Sequence, residues 1–317
     1  TGSSDGTARI WEARGGRLLT TFQGHIGGVR GVRLSADGQL LMSGGLDGTL
    51  RLWEVPDGRL LATLRGHTGP IYGVALSADK QVLATGSEDG TVRLWQTAGG
   101  RLLATLEGHS GGVRSVAMSQ DGQLLVSGCW GGSVRLWAVP SGRQLVAMRG
   151  HAGPVYNVAL SADARLVASG SEDGTVRLWD TSGQHLVATL EGHQSAVWGV
   201  ALSADGHLVA SGSWDGAIRL WDAPGRRPLA VLEGHASVVR GVALSADGIV
   251  LASGSFDGTI RVWDTRDGTC LHSLRSDRVY ERVDITGLTG VSDAQRQALF
   301  ALGALERRDD VPMRSGE

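Results

Sequence analysis

Five stretches of the sequence carry a histidine, a hydroxyl residue and an aspartate in one fixed arrangement: His25, Ser43 and Asp47; His67, Thr85 and Asp89; His151, Ser169 and Asp173; His193, Ser211 and Asp215; His235, Ser253 and Asp257. An imidazole between a hydroxyl and a carboxylate is the constellation of nucleophilic catalysis, and the chemistry it would support is acyl transfer. The copy number argues against that reading. A nucleophilic triad serves one pocket with one oxyanion hole, whereas near-identical sets distributed along a chain are the mark of a scaffold. No catalytic residue is therefore assigned. A sixth set is incomplete: Gly131 stands where the aspartate is expected, beside His109, Ser127 and Trp137. That unit is expected to be locally the least stable.

The sets recur because the chain is a repeat. Trp11, Trp53, Trp95, Trp137, Trp179, Trp221 and Trp263 are each 42 residues apart, and so are the Gly-His pairs ending at His25, His67, His109, His151, His193 and His235. Periods of this length belong to solenoids and propellers. The 49 glycines keep the same register, so they mark turns rather than disorder. Residues 193–234 show one unit. Val197 to Leu202 reads as a first strand and His207 to Ser213 as a second. Ala217 to Trp221 is a third strand after the Trp214-Asp215-Gly216 turn, and Pro228 to Leu232 is a fourth. Such a meander has small or apolar residues on both faces, so each copy must be covered by its neighbours.

The Gly-His pair, the Asp-Gly turn and the Trp or Trp-Asp ending resemble the WD40 repeat family over residues 1 to about 275. Trp-Asp itself occurs three times, at 179–180, 221–222 and 263–264; Trp11 and Trp53 are followed by Glu, Trp95 by Gln and Trp137 by Ala, positions that vary in the family. The resemblance implies an all-β, seven-bladed β-propeller of four-stranded antiparallel blades. It also implies that His67, Thr85, Asp89 and Trp95, like His193, Ser211, Asp215 and Trp221, form structural tetrads in which Trp bonds Ser or Thr, which bonds His, which bonds Asp. A buried indole N–H needs an acceptor, and such a chain supplies one. The arginine two residues before each Trp (Arg9, Arg51, Arg93, Arg135, Arg177, Arg219, Arg261) is perfectly repeated, and is read as packing on Trp or pairing with carboxylates rather than as a basic ring.

Six complete strand sets start near Val29, Ile71, Val113, Val155, Val197 and Val239. Residues 1–22 supply part of a seventh: the end of a second strand (Thr1 to Ser4), a third (Thr7 to Trp11) and a fourth (Leu18 to Phe22). Tyr280, Val283 and Ile285 echo Val239, Val242 and Leu244 one residue short of the period, and Asp277 occupies the next His position. The seventh blade of a propeller spanning 1–291 is thus expected to be shared between residues 1–22 and 278–287, its missing inner strand coming from Val279 to Thr286. Such a clasp removes an exposed sheet edge. Ser292 to Gln295 reads as a capping box opening a short C-terminal helix, 292–305, expected to pack on the propeller as a lid. Residues 306–317 are expected to be a disordered tail. The phrase from Tyr280 to Gly290, with the helix through Ala304, resembles the end of WD40 arrays in bacterial STAND-type signalling NTPases. No Walker-type phosphate loop is present in this sequence.

Scaffold positions repeat, so functional ones should break the repeat. Two columns do. One follows the first apolar residue of each first strand: Arg30, Tyr72, Arg114, Tyr156, Trp198 and Arg240. The other precedes the Asp of the turn between second and third strands: Ser4, Leu46, Glu88, Trp130, Glu172, Trp214 and Phe256. By the resemblance, both columns face one end of the propeller around its channel, where partners of this family dock. Trp, Tyr and Arg dominate binding hot spots, so Arg30, Tyr72, Arg114, Tyr156, Trp198, Arg240, Glu88, Trp130, Glu172, Trp214 and Phe256 are the candidate binding residues. The alternative is that they pack on one another and plug the channel mouth.

Bulk properties narrow the function. A net charge of −2 gives no field for nucleic acid or anionic membrane, and Glu88 and Glu172 interrupt any basic stripe. The longest apolar runs are about six residues, too short to span a bilayer. Cys129 and Cys270 are too few and too far apart for a disulfide framework or a metal site, and fit a reducing compartment, the cytoplasm. Thr1 falls inside a repeat, so the sequence is expected to start within a longer protein. The expected function is a non-catalytic binding platform for a protein or peptide, the sensor or scaffold part of a larger bacterial signalling protein, with no cofactor. The alternative is a propeller that binds a small ligand or glycan.

Overall fold

The computed structural model describes residues 1–12, 15–275, 292 and 295–297. The chain divides into two units, Thr1–Leu274 and Arg275–Glu317. The first is all β: six four-stranded antiparallel sheets follow one another, preceded by a partial one. In each sheet the strands lie in chain order, a to d, as a meander. Blade one is Val29–Leu34, Leu40–Gly45, Leu50–Glu54 and Leu60–Leu64, and blade five is Val197–Leu202, Leu208–Ser213, Ile218–Asp222 and Arg227–Leu232. Strand a of every blade lies against strand a of the next, from Val29–Leu34 to Val239–Leu244, so the blades fan out from their inner strands as in a propeller.

There is no single core. Apolar side chains gather instead at each blade-to-blade interface. Between blades two and three, Ala84, Val92, Leu94 and Leu106 meet Val113, Val116, Leu125 and Trp137. The same pattern recurs between the later blades, where Trp179, Trp221 and Trp263 each close an interface with the preceding blade. An indole is large enough to cover a neighbouring four-stranded sheet of small residues, which explains why strand b reads Ala, Ser and Gly at its centre while strand c ends in Trp. Inner strands approach closely because strand a carries Gly at its third position in most blades. A Cβ on Gly73 would lie 2.8 Å from the Val116 nitrogen. Blades three and four carry Ser115 and Asn157 there, and these accept hydrogen bonds from the amides of Val158 (3.2 Å) and Val200 (3.3 Å) on the next inner strand.

The partial blade is built as the repeat predicts. Thr7–Trp11 pairs with Leu18–Gln23. Residues before it add the end of a strand b, through the Gly2–Ala8 bridge and the exchange between Thr1 and Arg9. Gly2 faces Val29 and Val32 as Gly44 faces Ile71 and Val74, so the fragment docks on blade one by the same contact that joins the others. The structure therefore shows six blades and part of a seventh. The strand expected at 279–286, which would complete it, lies outside the described residues. So do the helix beyond residue 297 and the tail 306–317. In the second unit Ser292 and Gln295 exchange the reciprocal bonds of a capping box: the Gln295 side chain accepts from the Ser292 amide at 2.8 Å, and the Ser292 hydroxyl accepts from the Gln295 amide at 3.3 Å.

Candidate functional site: one end of the propeller

The five complete tetrads are all assembled. In blade five, Trp221 Nε1 donates to Ser211 Oγ at 2.8 Å, which meets His193 Nε2 at 2.8 Å, while His193 Nδ1 lies 3.0 Å from Asp215. In blade two, Thr85 takes the serine role, with Trp95 at 2.9 Å, His67 at 2.8 Å and Asp89 2.7 Å from the imidazole. The sets of His25, His151 and His235 match. Each aspartate also caps its turn: Asp47 accepts from the amides of Ile26 and Thr49, at 3.0 Å each. Burial pushes the Asp47 carboxyl up, but these amides, the Thr49 hydroxyl and His25 outweigh it and bring it to about 2. Burial holds His67, His193 and His235 below the usual imidazole range, against their aspartates. The hydroxyls are tied to an indole behind and an imidazole in front, inside the sheet. A further member of this column went unread: Trp11 Nε1 donates to Thr1 Oγ1 at 3.2 Å, and Thr1 stands one period before Ser43.

Blade three departs from the pattern. His109 still meets Ser127 at 2.7 Å, and Trp137 donates to Ser127 at 2.7 Å. With Gly131 in place of aspartate, His109 Nδ1 is buried without a partner among the described residues. Burial and then the charge of Arg135 bring its pKa down to about 3. Ser110, in the loop before the blade, lies against Gly131. A Cβ on Gly131 would lie 2.5 Å from the Ser110 carbonyl oxygen, so this position needs glycine.

The repeated arginines are structural. Arg51 and Arg261 lie 6.0 and 5.9 Å from the ring centres of Trp53 and Trp263. Arg135 donates to the Gly108 carbonyl, and Arg9 pairs with Asp5 at 2.7 Å.

The two variable columns do come together at one end, and the backbone explains how. In every blade the first strand is interrupted by a bulge at its second residue. In blade three, Val113 pairs with Cys129 and Ser115 with Gly128, leaving Arg114 unpaired. The same shift leaves out Arg30, Tyr72, Tyr156, Trp198 and Arg240. A bulge frees one residue from the ladder and re-aims its side chain. The second column is pinned beside it. The amides of Leu46, Glu88, Trp130, Glu172, Trp214 and Phe256 each donate to the carbonyl two residues before the bulge, at 2.9–3.0 Å.

The side chains then form a connected layer. Arg114 lies 4.0 Å from the Tyr72 ring centre, 5.5 Å from Trp130, and 5.8 Å from both Tyr156 and Trp198. Tyr156 and Trp198 stack at 4.4 Å with 13° between planes, and Trp214 meets Trp198 edge-on at 5.8 Å. Arg240 sits 5.1 Å from Trp198 and 5.5 Å from Phe256. The Tyr72 hydroxyl donates to Glu88 at 2.9 Å. Burial, with the Glu88 bond, pushes Tyr72 up, so it stays a protonated donor. The column of Arg30, Tyr72, Arg114, Tyr156, Trp198 and Arg240 is half-buried, whereas Trp130, Trp214 and Phe256 stand 49%, 54% and 56% exposed. The inner column packs on itself, and the outer column leaves three large apolar side chains in water. A separate open hollow, lined by Arg165, Leu166, Asp180, Ser182 and Val187, lies at the opposite end of blade four.

Six blades joined through their inner strands, each with a bulge and five with a complete tetrad, define a β-propeller with one differentiated end. Six stretches, residues 16–54, 58–96, 100–138, 142–180, 184–222 and 226–264, match the family model described as WD domain, G-beta repeat. They cover more than half of the chain, which belongs to the WD40 family, whose propellers are generally protein-interaction scaffolds. Each matched stretch runs from strand d of one blade through strand c of the next, so the repeat unit itself straddles an interface. None of the curated proteins compared with the chain matches it.

Proposed function

We propose that this chain is a non-catalytic platform that docks a protein or peptide on the end carrying Trp130, Trp214 and Phe256. One observation carries the reading: three large apolar side chains are exposed on a single end, above a layer of bulged Arg, Tyr and Trp residues. Exposed aromatics grouped with arginine are the composition of interface hot spots. A soluble monomer gains nothing in stability by leaving them in water. The glycan-binding alternative is less favoured because Tyr156 and Trp198 already cover each other's faces.

The C-terminal phrase supports a place in a larger bacterial signalling protein, as its sensor or scaffold part. The two widely spaced cysteines, both free, support the cytoplasm. No helix among the described residues is long and apolar enough to cross a membrane, and the reading includes neither membrane nor nucleic acid as partner.

The test compares capture of proteins by the full chain with capture by its W130A/W214A/F256A variant, read by mass spectrometry. A protein held by the first and lost by a folded variant supports the platform. Identical capture by both overturns it.

A further inference from the structure

We infer that the layer of bulged side chains beneath this docking surface is a site for one oxyanion, the carboxylate of an acidic side chain on the docked peptide, read by Arg30, Arg114, Arg240 and the Trp198 indole N–H. The inference rests on the proposed docking role and names the chemistry that the partner must bring.

Four observations carry it. First, two guanidiniums share one ring: the Arg114 and Arg240 carbons lie 5.8 and 5.1 Å from the centre of Trp198. A guanidinium set against an aromatic face keeps most of its N–H edge free for an acceptor in its own plane. Second, Arg30 and Arg114 bring their charges onto Arg240. Burial first, and these two cations next, lower the Arg240 pKa to about 10. Three like charges are thus gathered from blades one, three and six. Third, the carboxylates nearby are otherwise engaged. Glu88 accepts from Tyr72 and acts on Arg114 only through its charge, and Glu172 is within hydrogen-bond reach of Tyr156. Among the described residues, no Asp or Glu forms an ion pair with Arg30, Arg114 or Arg240. Fourth, Trp198 Nε1 is buried with no acceptor among the described residues. Buried donors are nearly always bonded. An unmatched indole N–H with two guanidiniums at the same ring, and a third cation close enough to act on Arg240, describe the complement of a carboxylate, which accepts several N–H bonds at once.

The aromatic rim selects the source of that anion. Trp130, Trp214 and Phe256 offer apolar contact on the surface above, which a free ion cannot use and a peptide can.

The experiment follows the Trp198 indole N–H of the full chain by 1H–15N NMR, assigned with the W198F variant. The probes are an acetylated, amidated Gly-Gly-Glu-Gly-Gly peptide, its Gln counterpart, and inorganic phosphate, all at constant ionic strength set with chloride. The Glu peptide is expected to move the Trp198 resonance downfield and saturably, with about tenfold weaker binding in R240Q. R240K, which keeps the charge, and thermal melting of both variants separate loss of the site from loss of the fold. No movement with the Glu peptide, an equal response to the Gln peptide, or a response to phosphate alone would each overturn the inference. The two readings fail separately. Loss of protein capture in W130A/W214A/F256A with a silent Trp198 leaves the platform standing and removes the oxyanion site. Unchanged capture with a responsive Trp198 does the reverse.

Discussion

The guanidinium of Arg114, on blade three, lies 4.0 Å from the centre of the Tyr72 ring on blade two, and the same group reaches within 5.8 Å of Tyr156 and Trp198 on the two blades beyond. One side chain thus links inner strands of four successive blades. A half-buried cation over several rings is worth about 1–2 kcal/mol. R114A should therefore lower stability by about that amount, and R114K by less than half of it. Urea unfolding of the three proteins checks the ranking. Equal stability of R114A and the parent would show that the layer contributes nothing.

The inner and outer columns should separate on mutation. Trp198 is stacked on Tyr156, so W198A removes packing and should cost about 3 kcal/mol. Trp130 and Trp214 are half exposed, so W130A and W214A should each stay within about 1 kcal/mol of the parent. Calorimetric melting reads both. A collapse of W214A comparable with W198A would return the outer column to the scaffold.

Blade three should open first. Its tetrad lacks a carboxylate, and His109 Nδ1 has no partner among the described residues. Native-state amide exchange should find strands Val113–Met118 and Leu124–Cys129 less protected than Val197–Leu202 and Leu208–Ser213. Conversely, D215A strips a buried imidazole of its partner and should cost about 1–3 kcal/mol. Equal protection in the two blades would contradict the expectation.

Acid should destabilise the fold in two stages. Burial lowers the folded pKa of His109 to about 3, from an ordinary value of 6.5. The unfolded chain then binds more protons than the folded one between those values, so this contribution is complete above pH 6.5 and is lost as pH falls towards 3. His67, His193 and His235 are lowered in the same direction. The tetrad carboxylates act later. Asp47 and Asp257 fall to about 2 in the fold, so their contribution is present above about pH 4 and is lost as pH drops through 2. Melting temperature against pH should decline from pH 6.5 downward. H109F should remove part of the upper stage and none of the lower. A flat profile from pH 7 to pH 4 would refute this assignment.

Truncation tests the sequence echo at the far end. If residues 279–286 supply the inner strand of the partial blade, deleting 278–317 should lower the melting temperature strongly or cause aggregation, since an unpaired edge is left. An unchanged melting curve would sink the idea.

Much of this was legible in the sequence, for a physical reason: a repeat displays its structural constraints as constants. The 42-residue Trp spacing located the strands, and the fixed His, Ser or Thr and Asp positions located the tetrads. Residues that varied against that background marked the layer of bulged side chains at one end. What stayed hidden depends on relations between units. Trp198 and Trp214 look alike in sequence, yet one is stacked inside the layer and the other stands out, because only the first sits at a bulge. The reach of Arg114 across four blades leaves no local mark. Neither does the close contact of Ser110 with Gly131. Thr1 was within reach, since counting back one period from Ser43 identifies it.

The bulge in each first strand has one more consequence. Because Arg30, Tyr72, Arg114, Tyr156, Trp198 and Arg240 stand outside the ladder, exchanging any of them breaks no backbone pairing and shifts no register. Six positions can therefore be rewritten like letters in a fixed frame while the frame goes on folding in the same way. Duplicated blades would begin with identical letters and diverge one at a time. A chain built in this manner can alter one end without altering its architecture, and an engineer could use the same six positions as an alphabet.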